Sequence, residues 1–257
     1  IGNEVASGTE IIERLGNDHF REEALILYTS ADSVFQVAAH EEIVPLTELY
    51  SCCEIARKMI DEHNYEIARV IARPFTGSPG AFVRTANRKD YSVEPPGETL
   101  LDKIIANGQQ VIAIGKIGDI FAGQGIGEDI HTSGNLDGIE KIIANYPKLE
   151  KGLIFANLVD FDSKFGHRRD FKGYAEALKE FDDNLPRIIE LINKKDYLFI
   201  VADHGCDPTF KGTDHTREYV PLLIFGPDSL SGKNLGIRDS FADTAATIAK
   251  ILGLEYD

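Results

Sequence analysis

Hydrophobic and polar positions follow two different rhythms along the 257 residues, and the change falls at Pro95-Pro96-Gly97. Two prolines and a glycine end a helix or a central strand. Before the break, residues 25–28 and 67–72 are short apolar runs that predict strands. Residues 46–63 carry apolar side chains at helical spacing and predict a helix. Residues 75–90 are rich in Gly, Pro, Thr, Asn and Arg and predict a loop. After the break the alternation is strict. Helices are predicted over 99–106, 136–145, 173–193 and 240–252, and strands over 110–114, 153–159, 197–202 and 220–225. Strands that read as continuous apolar runs between helices argue for a parallel sheet covered on both faces. The expectation is a small α+β domain over residues 1–94, a hinge at 94–97, and an α/β domain over 95–257.

Composition leaves that picture intact and narrows the function. Apolar residues make up 43% and charged residues 27%, enough for a packed core. No apolar stretch is long enough to predict a membrane span, and no basic-then-apolar leader opens the sequence. Cys52, Cys53 and Cys206 are three, and two of them are adjacent, which is a poor disulfide framework and points to a reducing cytoplasm. A net charge of −15 argues against nucleic acid as a partner. It also means that a phosphate ester would need metal ions or a few arginines to reverse the local field.

Ligands of open α/β sheets bind beyond the carboxyl ends of the strands. Three Asp/His clusters lie at or near such ends: Asp160 to His167 after one apolar run, Asp203-His204 after the next, and Asp214-His215 before the last. Neutral imidazole mixed with carboxylate suits Zn²⁺, Mn²⁺ or Fe²⁺. Asp162, His167, Asp203, His204 and His215 make five ligands, too many for one open tetrahedral site and one short of two complete sites. Two metals about 4 Å apart would clamp the attacking and leaving oxygens of an in-line displacement. Asp160 and Asp214 are either further ligands or partners that orient the histidines.

Isolated features weigh less. An Asp-His pair alone is more often a turn hydrogen bond than a metal site; three clusters on successive strands change that balance. Gly123, Gly125 and Gly127 have the wrong spacing and no preceding strand for a nucleotide loop, and read as a surface loop. His19, His40 and His63 read as surface residues.

With these residues in hand, the chain resembles the phosphopentomutases, a family of the alkaline phosphatase superfamily. The resemblance rests on residues 157–162, 166–170, 202–205 and 212–218, with supporting runs at 6–10, 28–33 and 69–75. It implies an alkaline-phosphatase-like core with a mostly parallel sheet flanked by helices, plus a smaller α+β cap. It implies that Asp162, His167 and His215 hold one metal, usually Mn²⁺, and Asp203 and His204 the other. Asp32 would contact ribose hydroxyls, Ile71 would line the sugar pocket, and Arg69, Arg84 and Lys116 would bind the phosphate that is not transferred. The implied reaction interconverts ribose 1-phosphate and ribose 5-phosphate, or their deoxy analogues. It runs through a phosphothreonine enzyme started by a bisphosphorylated sugar. The family's nucleophilic threonine and one further Asp ligand precede the cap and have no match here. The expectation is therefore a chain that binds metal but does not turn over on its own. A phosphoglycerate mutase or phosphatase of the same superfamily is the alternative reading.

Overall fold

A computed structural model describes residues 1–29, 33–212, 214–227 and 232–256. The chain forms two compact units, one of Ile1–Pro96 with Asp119–Ala122, the other of Gly97–Gly118 with Gly123–Asp257.

The first unit is a sheet with one helix on each face. Strands β1 (Gly2–Val5), β2 (Ile26–Thr29), β3 (Val34–His40) and β4 (Arg69–Thr76) lie side by side in that order. Two short strands, β5 (Val83–Arg84) and β6 (Lys89–Ser92), pair antiparallel with successive stretches of β4. The central pair, β3 with β4, is parallel, with Gln36 opposite Ile71 and Ala38 opposite Arg73. Side chains alternate across the pleat. Val37, Ala39, Val70 and Ala72 pack against Leu49, Cys53 and Ile60 of helix α2 (Leu46–Glu62). Ala38 and Phe75 face the other way, onto Ile11 and Ile12 of helix α1 (Gly8–Glu22).

Two expectations are corrected here. Residues 75–90 are not simply loop, since β4 continues to Thr76 and the segment contains β5 and the start of β6. These edge strands are two and four residues long, too short to show a period. His19 and His40 are buried, not surface residues, at 0% and 1% exposure. His19 sits on the inner face of α1, where aliphatic side chains would have announced the helix. The backbone N–H of His40 donates to Nε2 of His19 at 2.9 Å. The His19 proton therefore lies on Nδ1 and is given to the Ala24 carbonyl at 2.8 Å. Burial holds His19 below the usual imidazole range. His63 is exposed.

The second unit is built on three parallel strands in the order β8 (Glu128–Ile130), β7 (Gln110–Ile114), β9 (Gly152–Ala156). Helices α3 (Leu100–Ala106), α5 (Asn135–Asn145), α6 (Phe171–Ile189) and α7 (Ala242–Leu252) accompany them, and a short turn of helix, α4 (Ile117–Ile120), begins in this unit and ends in the first. Thr99 caps α3 in a reciprocal capping box with Asp102. The last two strands, β10 (Leu198–Val201) and β11 (Leu222–Phe225), pair antiparallel with each other, an exception to the parallel rule. The architecture is mixed α/β with a mostly parallel core. Among the described residues no helix is long and apolar enough to cross a membrane.

Candidate metal centre

Strand β9 ends at Ala156, shorter than the predicted run to 159, and the chain leaves the sheet into a π-helical turn, Phe161–Gly166. Such wide turns recur at functional sites. This one presents Asp162 from its first turn and His167 from its end. Asp160, just before it, is buried and has other partners. Its Oδ2 accepts from the Asn135 N–H at 2.9 Å and from Lys164 at 3.0 Å, while its own N–H donates to Asn135 Oδ1 at 2.9 Å. Asp160 thus fastens the strand end to the start of α5.

The third member arrives from a separate loop. Gly205 and Thr216 form an isolated antiparallel bridge, the Thr216 N–H donating to the Gly205 carbonyl at 3.0 Å. Thr216 Oγ1 accepts from the Asp207 N–H at 2.8 Å and donates to Glu218 at 2.7 Å. This clasp sets His215 beside Asp162. A side chain at position 205 would meet Glu218 Oε2 at 1.8 Å and the Thr216 carbonyl at 2.6 Å, so only glycine fits the clasp.

Asp162, His167 and His215 converge. Asp162 Oδ1 lies 3.1 Å from His167 Nε2 and 3.2 Å from His215 Nε2. The three ligand atoms all lie within 4.8 Å of one another. Ligands held about 2.1 Å from one divalent ion stand roughly 3.0–3.5 Å apart at octahedral to tetrahedral angles. Asp162 Oδ1 stands at such a separation from each histidine nitrogen, and a set of two imidazole nitrogens and one carboxylate oxygen suits such an ion. The side chains are a third to nearly half exposed, which leaves open positions for substrate oxygens.

Asp203 and His204 sit directly against this triad. The His204 ring stacks on His215 with centroids 3.7 Å apart and planes at 23°. Its Nε2 lies 3.4 Å from Asp203 Oδ2, and Asp203 is largely exposed. These two offer a second, adjacent pair of ligand atoms. Asp214 is exposed and takes no part in the triad, and His131 is exposed. Gly123 and Gly125 adopt positive φ in a turn, as a surface loop does.

The other predicted site residues are placed separately. Lys116 is exposed just past the carboxyl end of β7, the strand beside β9. In the first unit, Arg69 opens β4, Ile71 is buried two residues on, and Arg84 is exposed on β5. Asp32 lies outside the described residues.

One residue escaped the sequence reading. The Cys206 thiol donates to Asp162 Oδ1 at 3.5 Å, and it occupies the space a side chain at Gly166 would need, 2.3 Å from where that Cβ would stand. Burial, then the Asp162 charge, pushes its pKa up to about 11, so it stays a neutral donor. A cysteine three residues past Asp203 carried no periodic signal, and only its nearness to the Asp-His pair hinted at a role.

Comparison with known proteins agrees with this chemistry. Residues 83–256 match the family described as "Metalloenzyme superfamily". Among curated proteins, the phosphopentomutase of Caldanaerobacter subterraneus subsp. tengcongensis is 57% identical over 254 residues, 99% of this chain and 64% of that protein. Those of Desulfitobacterium hafniense and Alkaliphilus metalliredigens are 57% and 56% identical over 99% of this chain, covering 66% and 65% of their own lengths. The chain thus spans about two thirds of the length of the curated relatives it matches.

Proposed function

The chain belongs to the metalloenzyme superfamily, and on that premise we propose that the whole protein is a phosphopentomutase, interconverting ribose 1-phosphate and ribose 5-phosphate or their deoxy analogues. The observation that carries this reading is the convergence of Asp162, His167 and His215, in a chain alike to phosphopentomutases along almost all its length.

Asp162, His167 and His215 would hold one divalent ion, and Asp203 with His204 would contribute to the other; Mn²⁺ suits this oxygen and nitrogen donor set. Such ions, when bound, neutralise charge on the oxygens of a transferring phosphoryl group. The residues of this chain do the rest. The Cys206 thiol and the Gly205–Thr216 clasp keep the Asp162 carboxylate and the His215 ring in register before substrate arrives. Arg69, Arg84 and Lys116 hold the phosphate that stays on the sugar, supplying positive charge where the chain as a whole repels an anion. Asp32 accepts from ribose hydroxyls, and Ile71 gives the sugar an apolar wall. The phosphate passes through a phosphothreonine, charged initially by a bisphosphorylated sugar. The reading is of a cytoplasmic enzyme.

Full-length protein loaded with Mn²⁺, and supplied with a catalytic amount of a bisphosphorylated sugar, tests this directly. Phosphorus NMR should show ribose 5-phosphate converting to ribose 1-phosphate, with phosphoglycerate left unchanged. Turnover of phosphoglycerate, or release of inorganic phosphate in place of the isomer, would point to the phosphoglycerate mutase or phosphatase reading.

A further inference from the structure

The sheet of the first unit carries more positive charge on one face than the proposed site uses. Alternation puts Arg69, Ile71, Arg73 and Phe75 on the α1 side of β4. Phe75 lies in the cluster beneath α1, and Ile71 is buried. Arg73 extends over β3, where its Nε donates to Oε1 of the buried Gln36 at 3.0 Å. Across β4, Arg84 stands opposite Phe75 and Asp90 opposite Ile71, on the same face.

Four guanidinium groups, of Arg69, Arg73, Arg84 and Arg88, gather there, and among the described residues the one carboxylate paired with any of them is Asp90, which takes Arg88 and Arg69. Arg88 grips Asp90 with two parallel hydrogen bonds, Nε to Oδ1 at 2.6 Å and Nη2 to Oδ2 at 2.5 Å. Arg69 reaches the same Oδ2 at 3.7 Å. Among the described residues, no carboxylate pairs with Arg73 or Arg84. Their charges are mutually felt: burial first, then Arg88 and Arg84, hold the Arg73 guanidinium below its usual range. The Tyr28 hydroxyl is buried beside them with no hydrogen-bond partner among the described residues. Among the described residues this face holds more cations than carboxylates, in a chain of net charge −15, which is not what surface solvation alone produces. Asp90 is only 15% exposed, so the fork it accepts from Arg88 is largely shielded from water.

We propose that Arg73 and Arg88 are phosphate-binding residues and that Asp90 is their resident counter-ion, displaced from Arg88 when a phosphate monoester binds. This rests on the reading above that Arg69 and Arg84 hold the phosphate that is not transferred. Gln36 positions Arg73 with its fork ready, and a dianion outcompetes one carboxylate for several guanidinium groups, since charge-assisted bidentate bonds are the strongest of their class. Asp90 has a second effect. By occupying Arg88 and Arg69 until the phosphate arrives, it keeps their side chains ordered and lowers affinity for weaker anions.

The test is calorimetric binding of ribose 5-phosphate and of uncharged ribose to full-length, Mn²⁺-loaded protein. Arg73→Ala and Arg88→Ala should each weaken ribose 5-phosphate binding roughly tenfold or more and leave ribose binding unchanged, the span expected for losing a charged hydrogen bond. Arg73→Lys, which keeps charge but not the fork, should fall between. Asp90→Asn should tighten ribose 5-phosphate binding. Melting temperature and bound metal report whether each variant is folded; should Arg73→Ala not fold, Arg88→Ala and Asp90→Asn decide. Wild-type affinity in Arg88→Ala, or weaker binding in Asp90→Asn, would overturn the proposal and make these residues scaffold. If the wild type isomerises the pentose phosphate while the arginine variants bind normally, this inference fails and the functional reading stands. If the wild type has no isomerase activity yet binds the phosphate through Arg73 and Arg88, the reverse holds.

Discussion

Asp162 is the residue on which the proposed metal centre turns, because both histidines and the Cys206 thiol point at the same carboxylate oxygen. That oxygen is shared among three partners, and it would serve as the carboxylate ligand of a divalent ion held with the two histidines. Asp162→Asn or His215→Ala should therefore cost more Mn²⁺ affinity than the roughly 10–100-fold typical of losing an outer partner. Cys206→Ala should fall within that smaller range, measured by competition with a chelating dye. An unchanged affinity in Cys206→Ala would make the thiol a space-filler. A different residue governs acid stability. His19 is buried with its Nε2 accepting a backbone N–H, and a proton there would break that bond. Its folded pKa is lowered from 6.5, so its contribution is full above about pH 6.5 and is lost as pH falls below that value. Urea midpoints should stay level from pH 8 to 7 and drop towards pH 5.5. His19→Gln, which does not titrate, should flatten the slope; an equally steep fall in that variant would assign acid lability elsewhere.

At the scale of elements, what could be read in advance was decided by periodicity. Helix α2 and strand β7 are long and apolar enough that their predicted and observed limits nearly coincide. Helix α1 hides its inner face behind Gly16 and His19, and β5 is two residues long. The proposed ligands could be picked out because each follows or precedes an apolar run. What tied them together was not, since the Gly205–Thr216 bridge and the Cys206 contact depend on chain geometry and not on spacing. Gly205→Ala should consequently displace Glu218, loosen His215 and lower Mn²⁺ affinity while far-ultraviolet circular dichroism is unchanged. Retained affinity would show that the clasp yields without moving His215. A second joint lies where α2 meets β4. Arg57, almost buried, holds Asp61 with two hydrogen bonds and donates to the Ile67 carbonyl at 2.8 Å. Arg57→Ala leaves that carbonyl without this partner and should cost roughly 1–3 kcal/mol in urea unfolding.

Across the whole molecule, the proposed reading divides the work between the two units by charge. The second carries every proposed metal ligand, all carboxylate or imidazole; the first carries the arginine face around Asp90. An enzyme acting on a doubly anionic ester needs both, and the net charge of −15 makes the need sharper. The proposed reaction stands or falls with the proposed metal centre, whose residues lie within the stretch that matches the metalloenzyme superfamily. Its most direct test is a crystal of full-length protein grown with Mn²⁺ and measured on both sides of the manganese absorption edge. The account predicts an anomalous peak about 2.1–2.2 Å from Asp162, His167 and His215, with a second peak within bonding distance of Asp203 and His204. Manganese bound elsewhere, or a triad that stays empty of it at saturating Mn²⁺, would contradict the account.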